Sequence, residues 1–380
     1  MDSQKHLFQL PADSVYLNAA YMSPLLKSVE EAGIVSMQQK RNPVTIGRDD
    51  FFTGTDALKT SFGKLIQGDA AQCVIIPSSS YGFATVFQNL KSNGRKKALT
   101  IADEFPSGYL TLAHWCNTHK VELTIVDPGP GAASRDWNER LLDAIDQNTS
   151  VLLMSAVHWM HGIQYDVEAI SARCRETGCR LVVDGTQSVG ALPFDLGKTP
   201  VDALVCAGYK WLLGPYGIGM MWLDPSFNDG LPLEFNWINR SNSRDFARLT
   251  NYSLDYTPGA GRYNMGETSS FIHVAMLQAA LEQIHTWTPV AIQSHTLEIR
   301  NHLRLLLSET RPALLTDKGY SGHLFGLTLP IGTDAEQLAA RLAKERISVS
   351  VRGNFIRVSP HVYNDQQDAE KLSAVLIRYL

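Results

Sequence analysis

Between Gln72 and Leu223, seven short apolar runs alternate with stretches of helical spacing, and that alternation leaves few architectures open. The runs predict strands at Cys73–Ile76, Ala98–Ile101, Leu123–Val126, Val151–Met154, Leu181–Val183, Ala203–Val205 and Gly219–Trp222. Helical spacing falls between most of them, at Tyr81–Leu90, Gly108–His119, Trp137–Ile145 and Val167–Thr177. Strand and helix in turn predict an α/β fold, a mostly parallel sheet covered on both faces. Apolar runs without polar alternation fit strands buried on both sides. In such sheets ligands lie beyond the carboxyl ends of the strands.

The pattern changes later in the chain. Phe271–Thr286 and His295–Leu307 read as helices, Leu324–Leu329 as a strand and Asp334–Arg346 as a helix. Ile347–Val351 and Phe355–Val358 read as strands, and Asp365–Tyr379 as a closing helix. This predicts a small C-terminal α+β domain, with a boundary near Trp287–Ala291 where Pro289 breaks the pattern. The expected division is a large domain over 20–288 and a small one made of 1–19 and 289–380. The polar segment Asp224–Arg262 has weak periodicity, and loops of that length are usually functional.

The net charge of -4 gives no reason to expect a nucleic-acid partner or an anionic membrane. No apolar run reaches the ~18 residues of a membrane span, and the N-terminal residues lack the apolar core of a secretory signal. Cys73, Cys116, Cys174, Cys179 and Cys206 form no CxxC pair. They read as buried thiols in a reducing compartment, with no metal site, so a cytoplasmic location is expected.

Two motifs carry the chemistry. Asp184 closes the run Leu181–Val183 and is followed by Gly185-Thr186-Gln187-Ser188-Val189-Gly190. Lys210 stands in Gly208-Tyr209-Lys210-Trp211, ahead of Gly214-Pro215-Tyr216-Gly217-Ile218-Gly219. A carboxylate at a strand end and a lysine in a Gly-rich turn one crossover later suit pyridoxal 5'-phosphate (PLP). The amine forms a Schiff base with its aldehyde, and the carboxylate keeps the pyridine nitrogen protonated. An apolar setting would lower the pKa of Lys210 and favour the nucleophilic amine.

Other residues at strand ends extend this reading. Ser78-Ser79-Ser80 opens a helix and offers N–H groups, hydroxyls and a positive dipole end to a phosphate; alone it reads as a helix cap. Phe105 follows a strand, where it serves either as a platform for the pyridine ring or as a loop anchor. Gln187 either reaches the cofactor's phenolic oxygen or is a turn amide. His158 either moves protons near the substrate α-carbon or closes a loop. Arg357 suits bidentate capture of a carboxylate, although an arginine in a strand is more often a surface charge.

With these residues the chain resembles the class V aminotransferase family of PLP enzymes, which has the fold type I architecture of aspartate aminotransferase. The family includes cysteine desulfurases, selenocysteine lyases, kynureninases and isopenicillin N epimerases. The resemblance runs from Tyr16-Leu17-Asn18-Ala19-Ala20 to the C-terminal helix. It implies a Schiff-base Lys210, Asp184 on the pyridinium, Gln187 by the phenolic oxygen, and Ser79, Ser80 and Tyr209 at the phosphate. It places Phe105 at the ring-stacking position, with Arg357 and Asn18 on the substrate side. Gly266-Glu267-Thr268-Ser269 resembles the segment that crosses to a neighbouring subunit's phosphate, which implies a homodimer with shared sites, Thr268 among its contacts.

Departures narrow the activity. Desulfurases carry a cysteine shortly before the carboxylate arginine; here Val349 to Arg357 holds none, and the last cysteine is Cys206. Without a mobile thiolate that reaction lacks its nucleophile. Ala207 replaces a serine or threonine common three residues before the lysine. Glu104-Phe105-Pro106-Ser107 and His158-Trp159 resemble the epimerase-like branch. The expectation is therefore a PLP enzyme acting on an α-amino acid, a lyase or epimerase. The alternatives are an aminotransferase, a kynureninase-like hydrolase, or a PLP-binding protein without catalysis. A nucleotide-binding protein finds no support, because no GxGxxG follows the first strand.

Overall fold

The structure is a computed structural model and describes residues 1–127, 134–311, 314–315 and 319–380. The chain opens with β1 (Val15–Tyr16), α1 (Lys27–Gln39) and α2 (Asp50–Leu65). Strands and helices then alternate: β2 (Cys73–Ile76), α3 (Ser79–Asn89), β3 (Lys97–Ile101), α4 (Pro106–His119), β4 (Glu122–Val126), α5 (Ser134–Ala144) and β5 (Thr149–Ser155). The series continues through α6 (Val167–Thr177), β6 (Arg180–Asp184), β7 (Ala203–Ala207) and β8 (Gly219–Leu223). Each expected strand and helix of this stretch is present, with ends shifted by no more than a few residues.

These strands form one seven-stranded sheet in the order β2-β8-β7-β6-β5-β3-β4. β8 runs antiparallel to β2 and β7, and the other pairs are parallel. Along β5, Leu152 and Met154 enter one apolar cluster while Val151 and Leu153 enter the cluster on the opposite face. The same holds in β6, where Leu181 and Val183 face one side and Val182 the other. Both faces are covered, so neither needs polar residues.

The remaining elements are α7 (Phe271–Trp287), α8 (Pro289–Leu307), β9 (Phe325–Thr328), α9 (Ala335–Lys344), β10 (Ile347–Ser348), β11 (Ser350–Arg352), β12 (Phe355–Val358) and α10 (Gln366–Tyr379). β11, β12 and β9 form an antiparallel sheet, while β10 pairs in parallel with β1. A third apolar cluster joins Val15 and Leu17 to side chains from α8, α9, α10 and the short strands.

Two expectations need correction. The single strand read at Ile347–Val351 is two strands in different sheets, because the chain changes partners at Val349. Pro289 starts α8 and does not merely interrupt a pattern: Thr288 caps that helix through Ala291 N–H, and a proline at the first helical position loses no needed donor. α1 and α2 lie outside the elements expected from the sequence. Only Val29 and Gly33 are buried in α1, and the buried face of α2 includes Thr55, Ser61 and Gly63, so neither shows a clean apolar stripe. Among the described residues, no helix is long and apolar enough to cross a membrane.

Candidate active site

Six strands of the sheet run the same way, and residues at or just beyond the ends of five of them meet. Ser79 follows β2, Phe105 follows β3, Ser155 and Trp159 lie at the end of β5, Asp184 ends β6, and Ala207, Tyr209 and Lys210 continue β7. With Thr186 and Gln187 they line one pocket. The arrangement follows from topology: parallel strands send all their carboxyl ends the same way.

Lys210 is 7% exposed, with its Nζ 5.4 Å from the Phe105 ring centre and 5.5 Å from that of Tyr209. Burial lowers its pKa to about 8, the Asp184 charge opposes that shift, and the Arg357 and Arg352 charges add to it. Asp184 is buried, and its Oδ1 accepts the Thr186 N–H at 2.8 Å. Burial raises its pKa, while the Thr186 hydrogen bonds and the Lys210 charge pull the other way. Among the described residues, neither Lys210 nor Asp184 belongs to an ion pair.

Ser78 caps α3 by accepting the Tyr81 N–H. The first-turn N–H groups of that helix lie beside Ser79 and have no carbonyl within the helix to bind. Ser80 donates to the Ser107 hydroxyl at 3.0 Å and does not line the pocket. The Gln187 side chain donates to the Ala20 carbonyl at 3.1 Å and accepts from the Trp211 indole at 2.8 Å.

Several site residues were not evident from the sequence. Glu104 is buried, with its carboxylate accepting the Phe105 N–H, the Ser155 N–H and the Ser155 hydroxyl. Burial and the Asp184 charge push it up to about 7, against those three bonds. It fastens the loop that carries Phe105 to the end of β5. Trp159 packs edge-on to Phe105 with ring centres 5.6 Å apart and donates to the Asp103 carbonyl at 2.7 Å. Its position after the strand-end histidine was the available signal; the Glu104 contacts had none.

His158 is placed differently from the proton-moving alternative. It is fully buried, its Nε2 meets the Ala102 carbonyl at 3.1 Å, and its Nδ1 faces the N–H groups of Met160 and His161 at 3.3 Å. Burial lowers its pKa to about 3. Both nitrogens are thus engaged in closing the loop, and His158 does not line the pocket.

Arg357 is 1% exposed and donates through Nη1 to the Trp159 carbonyl at 2.8 Å, while its Nε and Nη2 have no partner. Burial lowers its pKa to about 9. The Asn18 side-chain oxygen accepts from the Ser350 hydroxyl at 2.7 Å, and Ser350 is the cross-strand partner of Arg357. Thr268 is not part of this pocket; its buried hydroxyl has no partner and borders a separate cavity beside Lys59 and Asn239.

The donor set fits PLP. It offers a buried amine and a buried carboxylate outside any ion pair among the described residues, an aromatic ring between strand ends, and a helix N-terminus with serines.

The family model of aminotransferase class-V matches residues 47–372. An uncharacterized aminotransferase, YcbU, from Bacillus subtilis (strain 168) is 27% identical over 316 residues, covering 83% of this chain and 80% of that protein. Isopenicillin N epimerase from Streptomyces clavuligerus is 25% identical over 334 residues, covering 84% of this chain and 82% of that protein. The solved structure of a mutant of C-DES, with glycine covalently linked to its PLP cofactor, superposes with a TM-score of 0.87 at 20% identity. It covers 99% of this chain and 100% of that one, a likeness of fold.

Proposed function

The chain belongs to the aminotransferase class-V family, and on that premise we propose that it acts on an α-amino acid as a lyase or epimerase. It is a PLP-dependent enzyme. The observation that carries the reading is the meeting of Lys210, Asp184, Phe105 and Ser79 around one pocket at the strand ends.

In this reading Lys210 holds the aldehyde end of the cofactor, Asp184 the pyridine nitrogen, Gln187 the phenolic oxygen, and Phe105 the ring face. Ser79 and Tyr209 hold the phosphate, and Ser80 contributes only its first-turn backbone N–H, since its hydroxyl is given to Ser107. Bound there, PLP supplies an electron sink for the bonds at the substrate α-carbon. Arg357 takes the α-carboxylate, with Asn18 and Ser350 beside it. A Lys210 amine with a pKa of about 8 is poised to take a proton at Nζ and return it near neutral pH. Trp159 and Phe105 wall the pocket against water.

The preference for a lyase or epimerase rests on the similarity to isopenicillin N epimerase. Aminotransferase or kynureninase-like hydrolase activity is the alternative, supported by the similarity to YcbU and by a 32% match to Pseudomonas fluorescens kynureninase over 149 residues. That kynureninase match covers 39% of this chain and 35% of that protein. Desulfurase chemistry is disfavoured: every cysteine is buried, and the β11–β12 hairpin contains none. We extend the proposal to a homodimer in which Thr268 serves the neighbouring site. The unpaired Thr268 hydroxyl and the exposed Leu231, Phe235, Tyr252 and Leu254 support it.

The test is a panel of amino acids, with and without keto acids, read by cofactor absorbance, product mass and chiral separation of the recovered amino acid. Without a keto acid, an elimination product or an inverted configuration supports a lyase or epimerase and fragments that together gain one water support a hydrolase, while turnover that requires a keto acid supports an aminotransferase. Loss of the imine absorbance in Lys210→Ala is expected; a native protein that never acquires it when supplied with PLP refutes the reading.

A further inference from the structure

We propose that the substrate carries a second acidic group on its side chain and that Arg352 binds that group. The proposal rests on the reading above, in which Arg357 takes the α-carboxylate.

The β11–β12 register sets Ser350 opposite Arg357 and Arg352 opposite Phe355. Cross-strand partners share a face of a sheet, and so do residues two apart on one strand. Arg352, Ser350 and Arg357 therefore stand on one face, with the two arginines diagonal neighbours about 7–8 Å apart at Cα. Both converge on Trp159, a wall of the Lys210 pocket. Arg357 binds its carbonyl, and the Arg352 guanidinium lies 5.5 Å from its indole centre.

Neither guanidinium has a carboxylate partner among the described residues. Arg357 spends Nη1 on the Trp159 carbonyl and keeps Nε and Nη2, the edge that receives one carboxylate side-on. Arg352 spends Nη1 on the Val351 carbonyl, and its Nε is buried without a partner. Two adjacent cations without anions repel each other, and a single carboxylate in the Arg357 fork leaves Arg352 unmatched. A substrate with one acid at each end of a short side chain would neutralise both.

The test uses PLP-loaded protein and unreactive acids that lack an amine. Succinate, glutarate and butyrate are titrated by calorimetry into the native protein, Arg352→Gln and Arg352→Lys. Loading is read separately from the cofactor absorbance, so its failure would count against the reading above, whereas the titrations address this proposal. At least one dicarboxylate is expected to bind the native protein about tenfold more tightly than butyrate. Arg352→Gln is expected to erase that preference, weakening dicarboxylates by far more than butyrate, and Arg352→Lys to keep part of it. Dicarboxylates that bind no better than butyrate would overturn the proposal. So would a preference that survives in Arg352→Gln, or an equal loss for both acids, which would mean that both arginines grip one carboxylate.

Discussion

The indole N–H of Trp211 donates to the side-chain oxygen of Gln187 at 2.8 Å, and both residues are buried. On its other side the amide nitrogen of Gln187 donates to the Ala20 carbonyl at 3.1 Å. An indole only donates and a carbonyl only accepts, so the amide has one orientation. One amide hydrogen remains for a group in the pocket that Gln187 lines.

Trp211→Phe keeps an aromatic ring in place and removes that donor. It leaves a buried oxygen unpaired, with an expected loss of about 1–3 kcal/mol in denaturant unfolding. The amide is then held from one side only, by the Ala20 carbonyl, and the pH titration of cofactor absorbance in the loaded variant should move away from that of the native protein. An unchanged titration would show that Trp211 does not orient Gln187.

Lys210 should betray its lowered pKa in the capture of PLP by the apoprotein, trapped with borohydride. Below pH of about 8 most of the amine is protonated, so the rate should rise about tenfold per pH unit and level off above that pH. Arg352→Gln removes a cation that lowers this pKa, so its plateau should begin at higher pH. A plateau only in the range of an ordinary surface lysine would contradict the burial argument.

Glu104 links stability to pH. Its pKa is raised from 4.5 to about 7, so the folded state holds a proton that the unfolded state has lost across that window. The resulting stability is fully present below about 4.5 and is lost as pH rises through about 7. The stability of the native protein relative to Glu104→Gln should therefore fall across this range, by at most about 1.4 kcal/mol per pH unit. Thermal unfolding of both proteins measures the slope, and parallel curves would place the ionisation elsewhere.

Gly190 has φ of 102°, a conformation open to glycine, and a Cβ there would press into the Trp211 carbonyl. Gly190→Ala should cost about 3 kcal/mol, combining backbone strain with overpacking. Because the clash moves the strand of chain that holds Trp211, PLP affinity should fall as well, measured by equilibrium dialysis. Retained stability and affinity would show that the turn can yield.

Much of the fold was legible because periodicity is a local property. The runs from Cys73 to Trp222 lack polar alternation since each strand feeds two apolar clusters, and that leaves its mark residue by residue. Asp184 and Lys210 were legible for a similar reason: a charge that closes an apolar run, or sits in a Gly-rich turn, stands out from its neighbours.

The sequence by itself determined the layered α/β plan and the strand-end positions of Asp184, Phe105 and Lys210. The tertiary structure decided what each side chain meets. It enclosed His158 between Ala102 and the N–H groups of its own loop, tied Glu104 to Ser155, and set Arg352 over Trp159. It also split Ile347–Val351 between two sheets, since a strand's partners are chosen elsewhere in the chain. These contacts join residues distant in sequence, and hydrogen bonding, burial and charge are set by those partners, whereas spacing along the chain records only which face a residue must hide.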